Sequence, residues 1–240
     1  MIRTIIWFIY FFGYLLFASP MYLYCSWQVK KGNREKVQPC IDRMVENWAN
    51  RLLWVAGGKI EVTGKENIPD GPAVFVANHQ GNFDIPVVLT QLDKPHALIA
   101  KASLAKVPGL HGWMDLLQCV FLVREDDKQA VRVLMDSTRY VRDGHSMIIF
   151  PEGTRSKGGE MHEFKGGAFR VATQAKVPIV PITIEGTYHM LEEPKRIHPA
   201  KVYVTIHPPI ETAGMTRPEV RALPERVKQE IVSAMTHDKK

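Results

Sequence analysis

The sequence predicts an α/β fold: a single domain with a largely parallel or mixed sheet flanked by helices, preceded by an N-terminal apolar helical segment that belongs in a membrane. Three observations carry this. Short apolar, β-branched runs recur between residues 59 and 206 with helical periodicities between several of them, the alternation that places helices on the faces of a sheet. Glycines and prolines punctuate those runs as strand and helix ends require. Residues 5–23 form an uncharged, apolar stretch close to the length that crosses a hydrocarbon core.

Taken in order, the chain divides into a membrane anchor (1–32), an amphipathic linking helix (33–58) and an α/β domain (59–240). Within the anchor, neither Ala18-Ser19-Pro20 nor Tyr24-Cys25 offers a persuasive small-x-small cleavage site, so the segment is expected to be retained. Its aromatic richness and Pro20 leave two arrangements open, a span or a bend lying within one leaflet. Lys30, Lys31, Arg34 and Lys36 follow the segment, whereas only Arg3 and the chain amine precede it, which predicts the following domain on the cytoplasmic side.

The linking helix shows in Val37, Ile41, Met44, Val45, Trp48, Leu52 and Leu53, a helical period ended by Gly57-Gly58. Strands are expected at residues 59–63, 73–77, 96–100, 119–123, 147–150, 179–184 and 202–206, and helices at 129–142, with Gly144 as its cap, and 166–175. Thr216-Arg217-Pro218-Glu219 reads as a capping box opening a final helix, with Val220, Leu223, Val227 and Ile231 along one stripe. A chain of 240 residues suits one such domain with an appendage.

Bulk properties narrow the partners. Lys and Arg number 31 against 25 Asp and Glu, and the net charge of +6 suits an anionic surface or substrate but is too mild to indicate nucleic acid. Cys25, Cys40 and Cys119 are dispersed without a CxxC pair, so neither a disulfide framework nor a zinc site is implied.

Two stretches concentrate chemistry, each directly after a strand-like run: Asn78-His79-Gln80-Gly81-Asn82-Phe83-Asp84 and Phe150-Pro151-Glu152-Gly153-Thr154-Arg155-Ser156. The end of a strand in an α/β sheet is where function collects. Asp84 stands at the start of a helix whose first turn contains Pro86, so His79 and Asp84 can face each other across one turn. Histidine is the side chain suited to act as a base near neutral pH, and an adjacent carboxylate fixes its tautomer and stabilises the imidazolium. There is no Gly-x-Ser-x-Gly elbow and no cysteine in either stretch, so a covalent intermediate on a protein nucleophile is disfavoured. Arg124 and Arg155 each follow a strand-like run and can offer a guanidinium fork to a phosphate, and Lys101 and Lys106 can add charge to the same edge. Glu152 can bind substrate hydroxyls or hold Arg155, while Gly153 and Thr154 shape the turn.

The pattern of His79, four residues, Asp84, followed much later by Phe-Pro-Glu-Gly-Thr-Arg-Ser, resembles the glycerolipid acyltransferase family, the bacterial 1-acylglycerol-3-phosphate acyltransferases in particular. Two further blocks are similar: Val120-Phe121-Leu122-Val123-Arg124 and Val177-Pro178-Ile179-Val180-Pro181-Ile182. Cys119 departs from the pattern, which has a small residue there, often glycine. The resemblance covers residues 59 to 210 and implies transfer of a fatty acyl group from a thioester carrier, acyl-CoA or acyl-ACP (acyl carrier protein), to the sn-2 hydroxyl of 1-acylglycerol 3-phosphate, forming phosphatidic acid. It implies His79 as base, Asp84 as its orienting partner, Arg124 and Arg155 on the phosphate, and residues 152–154 around the acceptor. No bound cofactor or metal is required, and the setting implied is a bacterial inner membrane. Glycerol 3-phosphate or another lysolipid is an alternative acceptor. From other classes, a metal-dependent hydrolase using His79 and Asp84 as ligands lacks a third ligand at suitable spacing, since His96, His111, His145 and His162 sit in unrelated contexts. A noncatalytic basic membrane-binding module is the remaining alternative.

Overall fold

Residues 73–77 and 179–184 are apolar at nearly every position, which a strand tolerates only if both of its faces are covered. In a computed structural model, which describes residues 1–123 and 127–236, these runs lie side by side at the middle of a seven-stranded sheet. The strands are β1 (Lys59–Thr63), β2 (Val74–Ala77), β3 (Ala97–Lys101), β4 (Val120–Leu122), β5 (Met147–Ile149), β6 (Ile179–Glu185) and β7 (Lys201–Ile206), in the order β1-β7-β6-β2-β5-β3-β4. All seven fall where the apolar runs predict them. Strands β6, β2, β5, β3 and β4 run parallel; β7 is antiparallel to β6, and β1 is parallel to β7. The sheet is therefore mixed, with five carboxyl ends on one edge.

Alternation along β2 shows why both faces must be covered. Phe75 and Ala77 pack with Ile148, Val180 and Ile182 under α3 (Arg34–Ala56), α4 (Asp84–Gln91) and α5 (Leu110–Leu116). Val74 and Val76 point the other way, with Met147, Ile149 and Ile179, toward α6 (Asp127–Arg142), α7 (Gly167–Ala175) and α8 (Arg217–Ser233). The predicted capping box opens α8: the Thr216 N–H donates to Glu219 Oε2 at 2.7 Å, and Leu223, Val227 and Ile231 are buried.

The N-terminal apolar stretch is not one helix. It forms α1 (Ile2–Phe17) and α2 (Ser19–Lys30), bent by 46° at Ala18, and no single described helix is long and apolar enough to cross a membrane. Pro20 sits in the first turn of α2, where its missing N–H costs nothing, so Ala18-Ser19-Pro20 restarts the helix in a new direction. One side of α1 is tied to the domain. Trp7 Nε1 donates to Leu52 O (3.0 Å), Tyr14 Oη to Met44 O (3.1 Å), and the Trp7 ring lies 5.5 Å from that of Phe83. The opposite side leaves Ile5, Ile9, Leu16 and Phe17 exposed, continued on α2 by Leu23 and Trp27.

Candidate active site

Strand β2 ends at Ala77, and the next side chain locks the strand end to its neighbour: Asn78 Nδ2 donates to Ile184 O and Asn78 Oδ1 accepts from Ile184 N–H, both at 2.8 Å. The amide thereby continues the pairing of β2 with β6 by one side chain, and His79 leaves the sheet from a fixed point. Between β2 and α4 the chain turns once. Asp84 is the first residue of α4, fully buried, where the unpaired amides of a helix start favour an anion.

Within that turn, Asp84 Oδ2 lies 2.6 Å from His79 Nδ1 and accepts the Gly81 N–H at 2.9 Å. Its other oxygen, Oδ1, accepts the hydroxyl of Thr187, which follows β6. Two of these contacts hold the buried carboxylate in place, and the third fixes the imidazole against it. With Nδ1 engaged, Nε2 is the nitrogen left to receive a proton. The Phe150 ring stacks on the imidazole at 4.4 Å and covers one of its faces, and the His79 side chain is 14% exposed, enough for Nε2 to meet a bound molecule.

The second motif follows β5 and is stitched to the first through the backbone. Ser156 N–H donates to His79 O (2.8 Å) and Lys157 N–H to Gln80 O (3.0 Å). Glu152 lies beneath this junction, only 3% exposed, with Oε1 accepting the His79 N–H at 2.6 Å and Oε2 the His162 N–H at 2.8 Å. Burial pushes its carboxyl above the usual glutamate range, and those two amide bonds oppose the shift. Both oxygens are therefore occupied by backbone, and Glu152 does not reach Arg155. Gly153 adopts φ +69°, a left-handed conformation that suits glycine, and its missing side chain leaves room for Lys165. Thr154 is exposed.

Arg155 pairs instead with Glu192, Nη1 to Oε1 at 2.9 Å, and is one-third exposed. The same Oε1 accepts the Asn82 N–H at 2.8 Å. Lys101 closes β3 at the edge that carries His79, two strands away across β5, or ~10 Å at ordinary strand spacing. Lys106 ends the short 3-10 turn that follows, and both lysines are exposed. Arg124 lies outside the described residues; β4, which precedes it, ends on the same edge. The 177–182 block forms the start of β6 and is buried from Ile179 onward, wall rather than chemistry. Among the described residues no three His, Cys, Asp or Glu side chains gather to hold a metal: His96 pairs with Asp93 (2.8 Å) and His111 with Asp115 (3.3 Å).

Asn78, Thr187 and Glu192 were not among the candidate residues read from sequence. Thr187 and Glu192 lie after β6 in a stretch with no strand-end motif of its own, and only the fold brings them to residues 78–84.

A model of the acyltransferase family matches residues 59–185, more than half of the chain, from the first residue of β1 to the last of β6. The chain belongs to the acyltransferase family. Among curated members, the probable 1-acyl-sn-glycerol-3-phosphate acyltransferase of Mycoplasma pneumoniae is 34% identical over 155 residues, 63% of this chain and 58% of that protein. The 1-acyl-sn-glycerol-3-phosphate acyltransferase of Borreliella burgdorferi is 30% identical over 185 residues, 76% of this chain and 74% of the other. The chain spans 45% of a third relative, the chloroplast enzyme BAT2 of Brassica napus, so several curated acyltransferases are considerably longer. The crystal structure of the 1-acyl-sn-glycerophosphate acyltransferase of Thermotoga maritima superposes with a TM-score of 0.78 at 30% identity, covering 98% of both chains.

Proposed function

We propose that this acyltransferase moves a fatty acyl group from a thioester donor, acyl-CoA or acyl-ACP, to the sn-2 hydroxyl of 1-acylglycerol 3-phosphate and so forms phosphatidic acid. The observation that carries the reading is the His79–Asp84 pair standing in one stitched loop system with Arg155. In this reading a base and a phosphate-binding fork share one edge of the sheet. The acceptor named for the relatives above carries the two groups such a site would engage, a free hydroxyl and a phosphate monoester.

The chemistry follows from the tautomer. His79 Nε2 takes the proton of the acceptor hydroxyl as its oxygen attacks the thioester carbonyl. Asp84 stabilises the imidazolium, with its own charge held by Gly81 N–H and the Thr187 hydroxyl. Collapse of the tetrahedral intermediate expels the carrier thiolate, which recovers the proton from Nε2. No side chain is acylated, and the acyl carrier is a cosubstrate rather than a bound cofactor. Arg155, with Arg124 and the lysines Lys101 and Lys106, holds the acceptor phosphate in this scheme.

The acceptor's acyl chain remains in the bilayer because each buried CH₂ favours lipid by about 0.8 kcal/mol, so the enzyme must work at the membrane. The exposed apolar side of α1 and α2 is the surface we assign to lipid, with the catalytic domain on the cytoplasmic face as the basic residues after α2 suggest.

The test is a panel assay. Purified protein is supplied with 1-oleoyl glycerol 3-phosphate, glycerol 3-phosphate and other lysolipids, each with oleoyl-CoA or oleoyl-ACP, and products are identified by mass spectrometry. Phosphatidic acid is the expected product; turnover only of glycerol 3-phosphate, or of lysolipids lacking the phosphate monoester, would replace this reading.

A further inference from the structure

Glu192 lies beyond the family-matched residues, and nothing in the reaction scheme above uses it. Its setting is nevertheless built. The side chain is 5% exposed; Oε1 accepts both Arg155 Nη1 (2.9 Å) and Asn82 N–H (2.8 Å), and Oε2 is buried with no hydrogen-bond partner among the described residues. A buried carboxylate with one oxygen unpaired depends on its cation, because moving the guanidinium away would strand the charge. Arg155 is therefore held at Nη1. A guanidinium is planar and rigid, so fixing one nitrogen fixes the directions of its remaining N–H groups, and one-third of the Arg155 side chain is exposed to present them.

The same carboxylate reaches the catalytic turn. Asn82 lies between His79 and Asp84, and Glu192 Oε1 is the acceptor for its N–H. Gly81 makes the approach possible: a Cβ there would sit 2.6 Å from Glu192 Oε2 and 3.0 Å from its Cδ, closer than side chains pack.

We infer that Glu192 is a positioning residue that presents Arg155 to the acceptor phosphate and, through one carboxylate, ties that clamp to the turn carrying His79 and Asp84. The inference takes its substrate from the proposed function. An ion pair serving only stability would affect every acceptor alike. A positioning carboxylate affects phosphate-bearing ligands first, and its effect disappears when the arginine it positions is already lost.

The experiment compares wild type, Glu192→Gln, Gly81→Ala, Arg155→Lys and the double variant Glu192→Gln/Arg155→Lys. Steady-state rates are measured on 1-oleoyl glycerol 3-phosphate and on 1-oleoyl glycerol, and binding of inorganic phosphate is measured by calorimetry, which needs no turnover. Glu192→Gln is expected to raise KM for the phosphate-bearing acceptor and the phosphate Kd roughly tenfold, the scale of one charge-assisted hydrogen bond, with a clearly smaller loss on the phosphate-free acceptor. In the double variant the two losses should not add. Gly81→Ala, which displaces the carboxylate while leaving Glu192 and Arg155 in the chain, should weaken phosphate binding and also lower kcat; it provides the answer if Glu192→Gln fails to fold. Equal losses on both acceptors with unchanged phosphate binding, full additivity, or a wild type that binds no phosphate would overturn the inference. A wild type that binds phosphate in a Glu192-dependent way but does not acylate 1-oleoyl glycerol 3-phosphate would remove the proposed reaction and leave the positioning role standing.

Discussion

Thr187 donates its hydroxyl to Oδ1 of Asp84, the oxygen that His79 leaves unoccupied, and so a residue 103 positions away completes the partner set of a fully buried carboxylate. Thr187→Val keeps the shape and removes the donor. An unpaired buried acceptor costs about 1–3 kcal/mol, so we expect a lower melting temperature together with reduced turnover, and recovery of both in Thr187→Ser. Calorimetric melting and kcat measured on the same preparations check this. Unchanged turnover in a destabilised Thr187→Val would assign the hydroxyl to stability alone.

For His79→Ala the expected loss of turnover is roughly 10² or more, the usual contribution of a general base, with the fold intact because the ring is not a core residue. Asp84→Asn should also fall well below wild type, since an amide cannot stabilise the imidazolium. Near-normal rates in either folded variant, measured with saturating acyl donor, would refute the assignment.

Acyl transfer without a protein nucleophile predicts that radiolabelled oleoyl-CoA alone leaves no covalent label on the chain. Acid-quenched enzyme is precipitated, washed and counted. A stoichiometric label would require an acyl-enzyme and a different mechanism.

The face of α1 and α2 that carries Ile9 and Phe17, 67% and 81% exposed, should hold the protein on lipid by burial rather than by charge. Wild type should therefore cosediment with neutral phosphatidylcholine vesicles even at high salt, where screening removes electrostatic attraction. Ile9→Glu/Phe17→Glu should stay folded but release from the vesicles. Salt-sensitive binding by the wild type would point to a basic, peripheral attachment instead.

Stability should depend on pH through His207. Burial lowers its pKa from the usual histidine value, and the Glu230 carboxylate 3.3 Å away opposes the shift in part. The unfolded chain therefore binds a proton that the folded chain resists. The stability associated with neutral His207 is present above about pH 6.5, the unfolded value, and is lost as pH falls from there through the lower folded value. Urea unfolding at intervals between pH 7 and pH 5 should show this slope, and His207→Gln should flatten it. A slope unchanged by the substitution would assign it to other groups.

The strands were legible because their signal is local: β-branched runs such as Val74-Phe75-Val76 end at glycine, proline or polar residues whatever surrounds them. Their directions were not. Strand β6 is buried at every position, so no alternation within it reveals that β7 pairs antiparallel on one side while β2 pairs parallel on the other. In the site, His79, Asp84 and the 150–156 block stand in motifs at strand ends, whereas Thr187 and Glu192 are ordinary polar residues in a short 3-10 turn and the stretch after it. Arg155 looked like a residue that Glu152 could hold, since they are neighbours in sequence. Burial decided otherwise, because both Glu152 oxygens turn inward to backbone amides and the arginine takes a partner 37 residues on. The bend at Ala18 was written in Ser19-Pro20, but composition alone could not separate a bent pair from a straight span.

The partners that complete this site come from the far side of β6, and this gives the enzyme a timetable. On a ribosome α1 and α2 emerge first, followed by His79 and Asp84. Asp84 still lacks its hydroxyl donor, Arg155 its carboxylate, and the end of β2 its pairing with Ile184. All three arrive only when β6 and the following turn add themselves to the sheet. A truncated or half-made chain therefore lacks the assembled site, so activity reports completion of the sheet.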